Sequence, residues 1–339
     1  MHHSEFGTVR EQPRPRSREE LEESQWLAIE GIFKLLQSCA LRPFEVASKS
    51  EEPQLVPRFD TQRWNQAFLI AGGKGKTTTL LTLLDALSYW HARSSKARPG
   101  SLVSTPTSGE NTRHLADTNG VCFVPLDIIN TRQYPADRHL ALSFVGAFAN
   151  LNHELQRRFS SGFSGNRSSP SSSAYKTFRE AVTIGMSMSV PPAVSGEFLM
   201  HEIELTKSES WRREVLPSFR RFMDALCEDY YELVRVSPPL FIVPIEDADV
   251  ARTTELFDLI NTFSHPRVAY VLTGDHKTFV QSITRKLVEA LGALERESLA
   301  SLEGQLLLAL RAEGFLDKTL PSSQTFQVNR RTFLGAPID

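Results

Sequence analysis

Cysteine is scarce in this 339-residue chain: Cys39, Cys122 and Cys227 lie far apart, with no Cys-x-x-Cys pair. That spacing excludes a disulfide framework and offers no zinc site. Net charge is nearly absent too, at -2, so no overall basic field argues for nucleic-acid binding. No run of about 18 apolar residues exists to span a membrane. The first residues, MHHSEFGTVREQPRPRSREE, lack the apolar segment of a signal peptide, so the expectation is a cytoplasmic protein. What is present is an ordinary globular composition, 40% hydrophobic, enough for a substantial core.

Strand-like and helix-like segments alternate from residue 67 onward, the rhythm of an α/β core with a parallel sheet. The apolar runs at 67–71, 120–129, 239–249 and 267–275 read as strands. The stretches beginning at Thr77, His139 and Thr253 read as the helices that follow the first three. Ahead of them, Ser17 with Glu20 three residues later resembles a capping box, and Trp26, Ile29, Phe33 and Leu36 recur at helical spacing. The expected organisation is a tail and docking helix over 1–59, a core over 60–285, and a helical C-terminal segment over 286–339. Two Ser-, Gly- and Pro-rich stretches near 93–120 and 160–175 read as flexible insertions.

Chemistry concentrates at three places. FLIAGGKGKTTTLL places an apolar strand, a glycine turn, Lys-Thr and a helix in succession. In a phosphate-binding loop, backbone N–H groups wrap the phosphates and glycine permits their close approach. Gly72, Gly73, Lys74 and Gly75 would form the turn. Lys76 would reach the β- and γ-phosphates of ATP, Thr77 would bind Mg²⁺, and Thr78 would face the α-phosphate. The turn is two residues shorter than the usual G-x-x-x-x-G-K-[ST], since Ile70 stands where the first glycine belongs. Weak to moderate Mg-ATP binding is therefore the expectation.

FIVPIEDAD ends a strand in carboxylates, as metal-assisted phosphoryl chemistry requires. Glu246 takes the Mg²⁺-binding place, Asp247 is the candidate base that polarises water, and Asp249 would support them. VLTGD offers Thr273 and Asp275 as groups that orient water or sense the γ-phosphate. Arg252, Arg267, Arg330 and Arg331 are unranked choices for an arginine completing the site from a neighbouring subunit.

The order of these motifs, with Arg267–Asp275 and the late FLDKTL segment, resembles the KAP family of P-loop NTPases, grouped with STAND and AAA-like ATPases. The resemblance implies a P-loop NTPase core and an ATP-hydrolysing switch in a homo-oligomer or ring, as in bacterial antiphage defence. The arrangement also resembles that of the ATPase component of RADAR-type systems, which works with an RNA adenosine deaminase, and this resemblance implies an effector enzyme as partner. Two other functions stay open on the residues themselves. One is a non-hydrolysing assembly scaffold with a degenerate nucleotide site, for which the short turn argues. The other is a small-molecule kinase, for which no acceptor motif argues.

Overall fold

The computed structural model describes residues 14–41, 66–95, 121–133, 139–162, 169–187, 214–231, 239–250, 253–289 and 301–328. The connector near 48–64, most of the insertion at 93–120, and Arg252, Arg330 and Arg331 lie outside them.

Among the described residues, six parallel strands make one sheet. They are β1 (Ala67–Gly72), β2 (Phe123–Pro125), β3 (Ile129–Asn130), β4 (Leu240–Glu246), β5 (Val268–Gly274) and β6 (Thr325–Val328). The lateral order is β2-β4-β5-β1-β6, and β3 continues the β2 edge by pairing with the end of β4. β1, β4 and β5 are apolar almost throughout because helices cover both faces of the sheet, which removes the alternation seen in half-exposed strands.

On one face, α1 (Glu23–Ala40) and α2 (Lys76–Ser95) pack over Phe68, Ile70, Ile242 and Val271. On the other lie α3 (Leu140–Gly162), α4 (Pro170–Ser187), α5 (residues 214–231), α6 (Thr253–Thr262), α7 (His276–Glu289) and α8 (Leu302–Thr319). Their core is rich in phenylalanine, with Phe144 stacked on Phe263 (4.7 Å between centroids) and Phe178 on Phe222 (5.6 Å). The helix after β1 lies on one face, while those after β4 and β5 lie on the other. The chain thus reverses its winding between β1 and β5, the kind of position beyond whose carboxyl strand ends open α/β sheets bind ligands.

Several expectations change. The single strand expected over 120–129 divides into β2 and β3. Pro125, at the end of β2, has no N–H for a ladder. Helix α4 begins inside the expected insertion at 160–175. Pro170 takes the first helical position, where its missing N–H costs nothing. Buried Asp229 accepts from the Ser169 hydroxyl and from the Ser171 N–H (2.9 Å), which secures that helix end to α5. Ser17 and Glu20 do form their reciprocal contact, but around a single 3-10 turn, and α1 starts at Glu23. Strand β6 pairs with β1, so the sheet includes a strand beyond the boundary expected at 285.

Arg267 is a correction. It is 2% exposed, and its Nη1 donates to the Ala40 carbonyl at 2.8 Å, so it ties α1 to the sheet and cannot reach a neighbouring subunit's site. Beside it, His265 Nδ1 accepts the Arg267 N–H at 3.1 Å. Burial pulls the His265 pKa below its ordinary 6.5, against the opposing effect of Asp224 at 3.8 Å. As pH falls below 6.5, the unfolded chain takes up a proton that the folded chain resists. This contribution to stability is thus fully present above that pH and lost on acidification. The urea midpoint is expected to fall between about pH 7.5 and about pH 5.5, and to fall less in His265→Gln. Equal falls in both proteins would contradict this.

Candidate nucleotide site

The turn between β1 and α2 contains Gly73, Lys74 and Gly75 alone. Gly72 and Gly75 have φ of +125° and +97°, in the region that side chains disfavour. A Cβ on Gly72 would strike the Val328 carbonyl oxygen of β6, so glycine is also what lets β6 lie against β1 here. Gly75 ends the turn and its carbonyl accepts the Thr79 N–H (2.9 Å) and the Thr79 hydroxyl (2.9 Å). It also accepts Gln25 Nε2 at 3.2 Å, while Gln25 Oε1 accepts the Glu22 N–H at 3.0 Å. The docking helix therefore braces the turn from outside, a contact made by a buried glutamine that sequence reasoning missed.

Lys76 opens α2, and its Nζ donates to the Gly72 carbonyl at 2.7 Å. Lys74 is exposed, and Gly73 has open space where a side chain would stand. Thr78 is half-buried, and its carbonyl accepts the Thr82 hydroxyl. The next residue along from the lysine makes the decisive contact: Thr77 Oγ1 donates to Glu246 Oε1 at 2.6 Å, across 169 positions of sequence.

The other oxygen of Glu246 accepts Asn130 Nδ2 at 2.9 Å. Asn130 is oriented in turn, because its Oδ1 accepts the Arg132 N–H at 3.0 Å. The Thr131 hydroxyl donates to the Asp247 carbonyl (2.5 Å), and Arg132 Nε pairs with Asp247 Oδ2 at 2.7 Å. Asn130, Thr131 and Arg132 were not singled out in the sequence. The available signal was three polar residues directly after Ile128 and Ile129, at a strand end on the same sheet edge as the carboxylates.

Asp247 has φ of +53°, rare for a residue with a side chain. Two contacts hold it there: its N–H donates to Thr273 Oγ1 at 3.0 Å, and the Ala248 N–H donates to the Thr273 carbonyl at 2.7 Å. Thr273 is fully buried, so it positions Asp247 rather than facing a ligand itself. Asp249 Oδ2 accepts the Asp275 N–H at 3.1 Å and links the ends of β4 and β5. Asp275 caps α7 by accepting from the Thr278 N–H (3.2 Å) and hydroxyl (3.0 Å). Its geometry is that of a helix cap, not a γ-phosphate sensor.

The carboxyl ends of β1 and β4 thus carry an ammonium, a hydroxyl and two carboxylates, beside a helix N-terminus. Thr77 and Glu246 supply hard oxygen donors side by side, the type Mg²⁺ prefers. Among the described residues, no group of three or more His, Cys, Asp or Glu forms a self-sufficient metal cage. Mg²⁺ commonly takes one or two protein ligands and completes its shell from waters and substrate phosphates, so this donor pair fits it. No described helix is long and apolar enough to cross a membrane. No protein-family model matches this chain, and a search of curated proteins likewise gives no match.

Proposed function

We propose that the chain binds Mg-ATP between the Gly72–Thr78 segment and the Glu246–Asp247 strand end, on a P-loop NTPase core, and hydrolyses it as a molecular switch. The observation that carries this reading is the 2.6 Å contact of Thr77 with Glu246. A hydroxyl and a carboxylate that share one Mg²⁺ must lie within a few ångströms of each other, and the fold gathers these two from distant segments. The winding reversal between β1 and β5 supports it as well, since open parallel sheets bind ligands at such a position.

In this reading Lys76 leaves the Gly72 carbonyl for the β- and γ-phosphates, and the first turn of α2 directs N–H groups at them. Thr77 and Glu246 hold Mg²⁺, which when bound would neutralise phosphate charge. Asp247 accepts a proton from the attacking water. Ring-like assembly, an effector enzyme as partner and a role in antiphage defence rest on the family resemblance alone.

A second reading, a non-hydrolysing scaffold, is favoured by the three-residue turn and by the lysine folded onto its own loop. Phosphate release at saturating Mg-ATP distinguishes them, and Thr77→Ala tests the metal site on which the first reading depends. The substitution is expected to weaken Mg-ATP binding by about tenfold while leaving ATP binding in EDTA unchanged, the scale for loss of one metal-site contact. Calorimetric titration with and without Mg²⁺ reads this. Equal affinities in the presence of Mg²⁺ would count against a metal at Thr77.

A further inference from the structure

We propose that Arg132, from within the same chain, reads the γ-phosphate, and that its ion pair with Asp247 is the state of this sensor when no triphosphate is bound. The inference rests on the nucleotide reading above and names what makes that site respond to nucleotide state.

Arg132 lies two residues past Asn130, whose amide touches the carboxylate that contacts Thr77. Its Nε is 2.7 Å from Asp247 Oδ2, and its backbone N–H orients the Asn130 amide. One short turn, Thr131–Gln133, thus directs three residues in or beside it onto Glu246 and Asp247. No other described arginine pairs with a carboxylate of this site. Arg267, the sequence choice that falls within the described residues, is buried under α1.

The pair is built to be broken. The Arg132 side chain is 65% exposed, and exposed ion pairs contribute little to stability. Nε engages Asp247 at 2.7 Å, on a guanidinium that stays largely open to solvent. A terminal phosphate carries more charge than a carboxylate and presents several oxygens to the guanidinium fork. A triphosphate would therefore draw Arg132 away and release Asp247, whereas a diphosphate would leave the pair closed. Asp247 is then masked until the γ-phosphate arrives, and bond making waits on the correct ligand.

The test is calorimetric titration of the full chain with Mg-ATP and with Mg-ADP, for the unaltered protein, Arg132→Ala and Arg132→Lys. Arg132→Ala is expected to lose about tenfold in ATP affinity, the scale of a charge-assisted hydrogen bond, while ADP affinity stays within about twofold. Arg132→Lys should recover part of the loss, since it keeps charge without the fork. An equal loss for both nucleotides, or no loss for either, overturns the sensor role. If the unaltered chain binds neither nucleotide, the nucleotide reading itself fails and takes the sensor with it. If it binds both and Arg132→Ala changes neither, the sensor alone fails. An unchanged urea midpoint for Arg132→Ala confirms that a selective loss of ATP affinity comes from the lost contact.

Discussion

Lys76→Ala is expected to abolish detectable Mg-ATP binding, a loss of about 100-fold or more, near 3 kcal/mol. The reason is geometric. Between β1 and α2 only three residues are available to wrap a phosphate, fewer than a full-length loop supplies. With fewer backbone N–H donors, a larger share of the phosphate charge falls to one ammonium, at the first residue of α2. Its present partner, the Gly72 carbonyl, is a neutral acceptor that a charged phosphate displaces readily. Folding should survive the change, because Lys76 lies outside both apolar cores that hold β1 and α2. A chain that folds normally, with an unfolding midpoint near that of the unaltered protein, but gives no ATP heat is the expected result. Retained binding would mean that the ligand, if any, sits elsewhere.

Asp247→Asn is expected to keep Mg-ATP binding within about threefold while lowering phosphate release by about 100-fold or more, the range for losing a general base. The substitution suits the question because asparagine tolerates the left-handed φ of +53° that position 247 adopts. It keeps the size of the side chain and the backbone contacts to Thr273, and removes the charge and the proton acceptor. It also releases Arg132, so the affinity for ATP should not fall. Phosphate release measured at saturating Mg-ATP reads the effect. Unchanged release in Asp247→Asn would remove Asp247 from the chemistry and turn attention to Glu246.

The alternating rhythm that the sequence shows from residue 67 on is the rhythm of the fold. Fully apolar runs mark β1, β4 and β5 because both faces of the sheet are covered, and the helices after them keep their period. Legibility failed where local signals were overridden. Serine-rich sequence concealed the start of α4, since the buried Asp229 that secures it is distant in the chain. The four residues of β6 carry no pattern of their own, and their strand exists because β1 offers an edge. At the site, Lys76, Thr77 and Glu246 announced themselves as types in order. Asn130 and Arg132 did not, because their importance lies in carboxylates more than 110 positions away. Thr273 and Asp275 were recognisable as polar strand-end residues, but only their partners reveal a backbone prop and a helix cap.

The most direct measurement is calorimetric titration of Mg-ATP into the unaltered chain. One site per chain, with an affinity that drops when Mg²⁺ is chelated, is the result expected if the short turn and the Thr77–Glu246 pair form a working nucleotide site. No binding heat from a folded chain at millimolar Mg-ATP would contradict it.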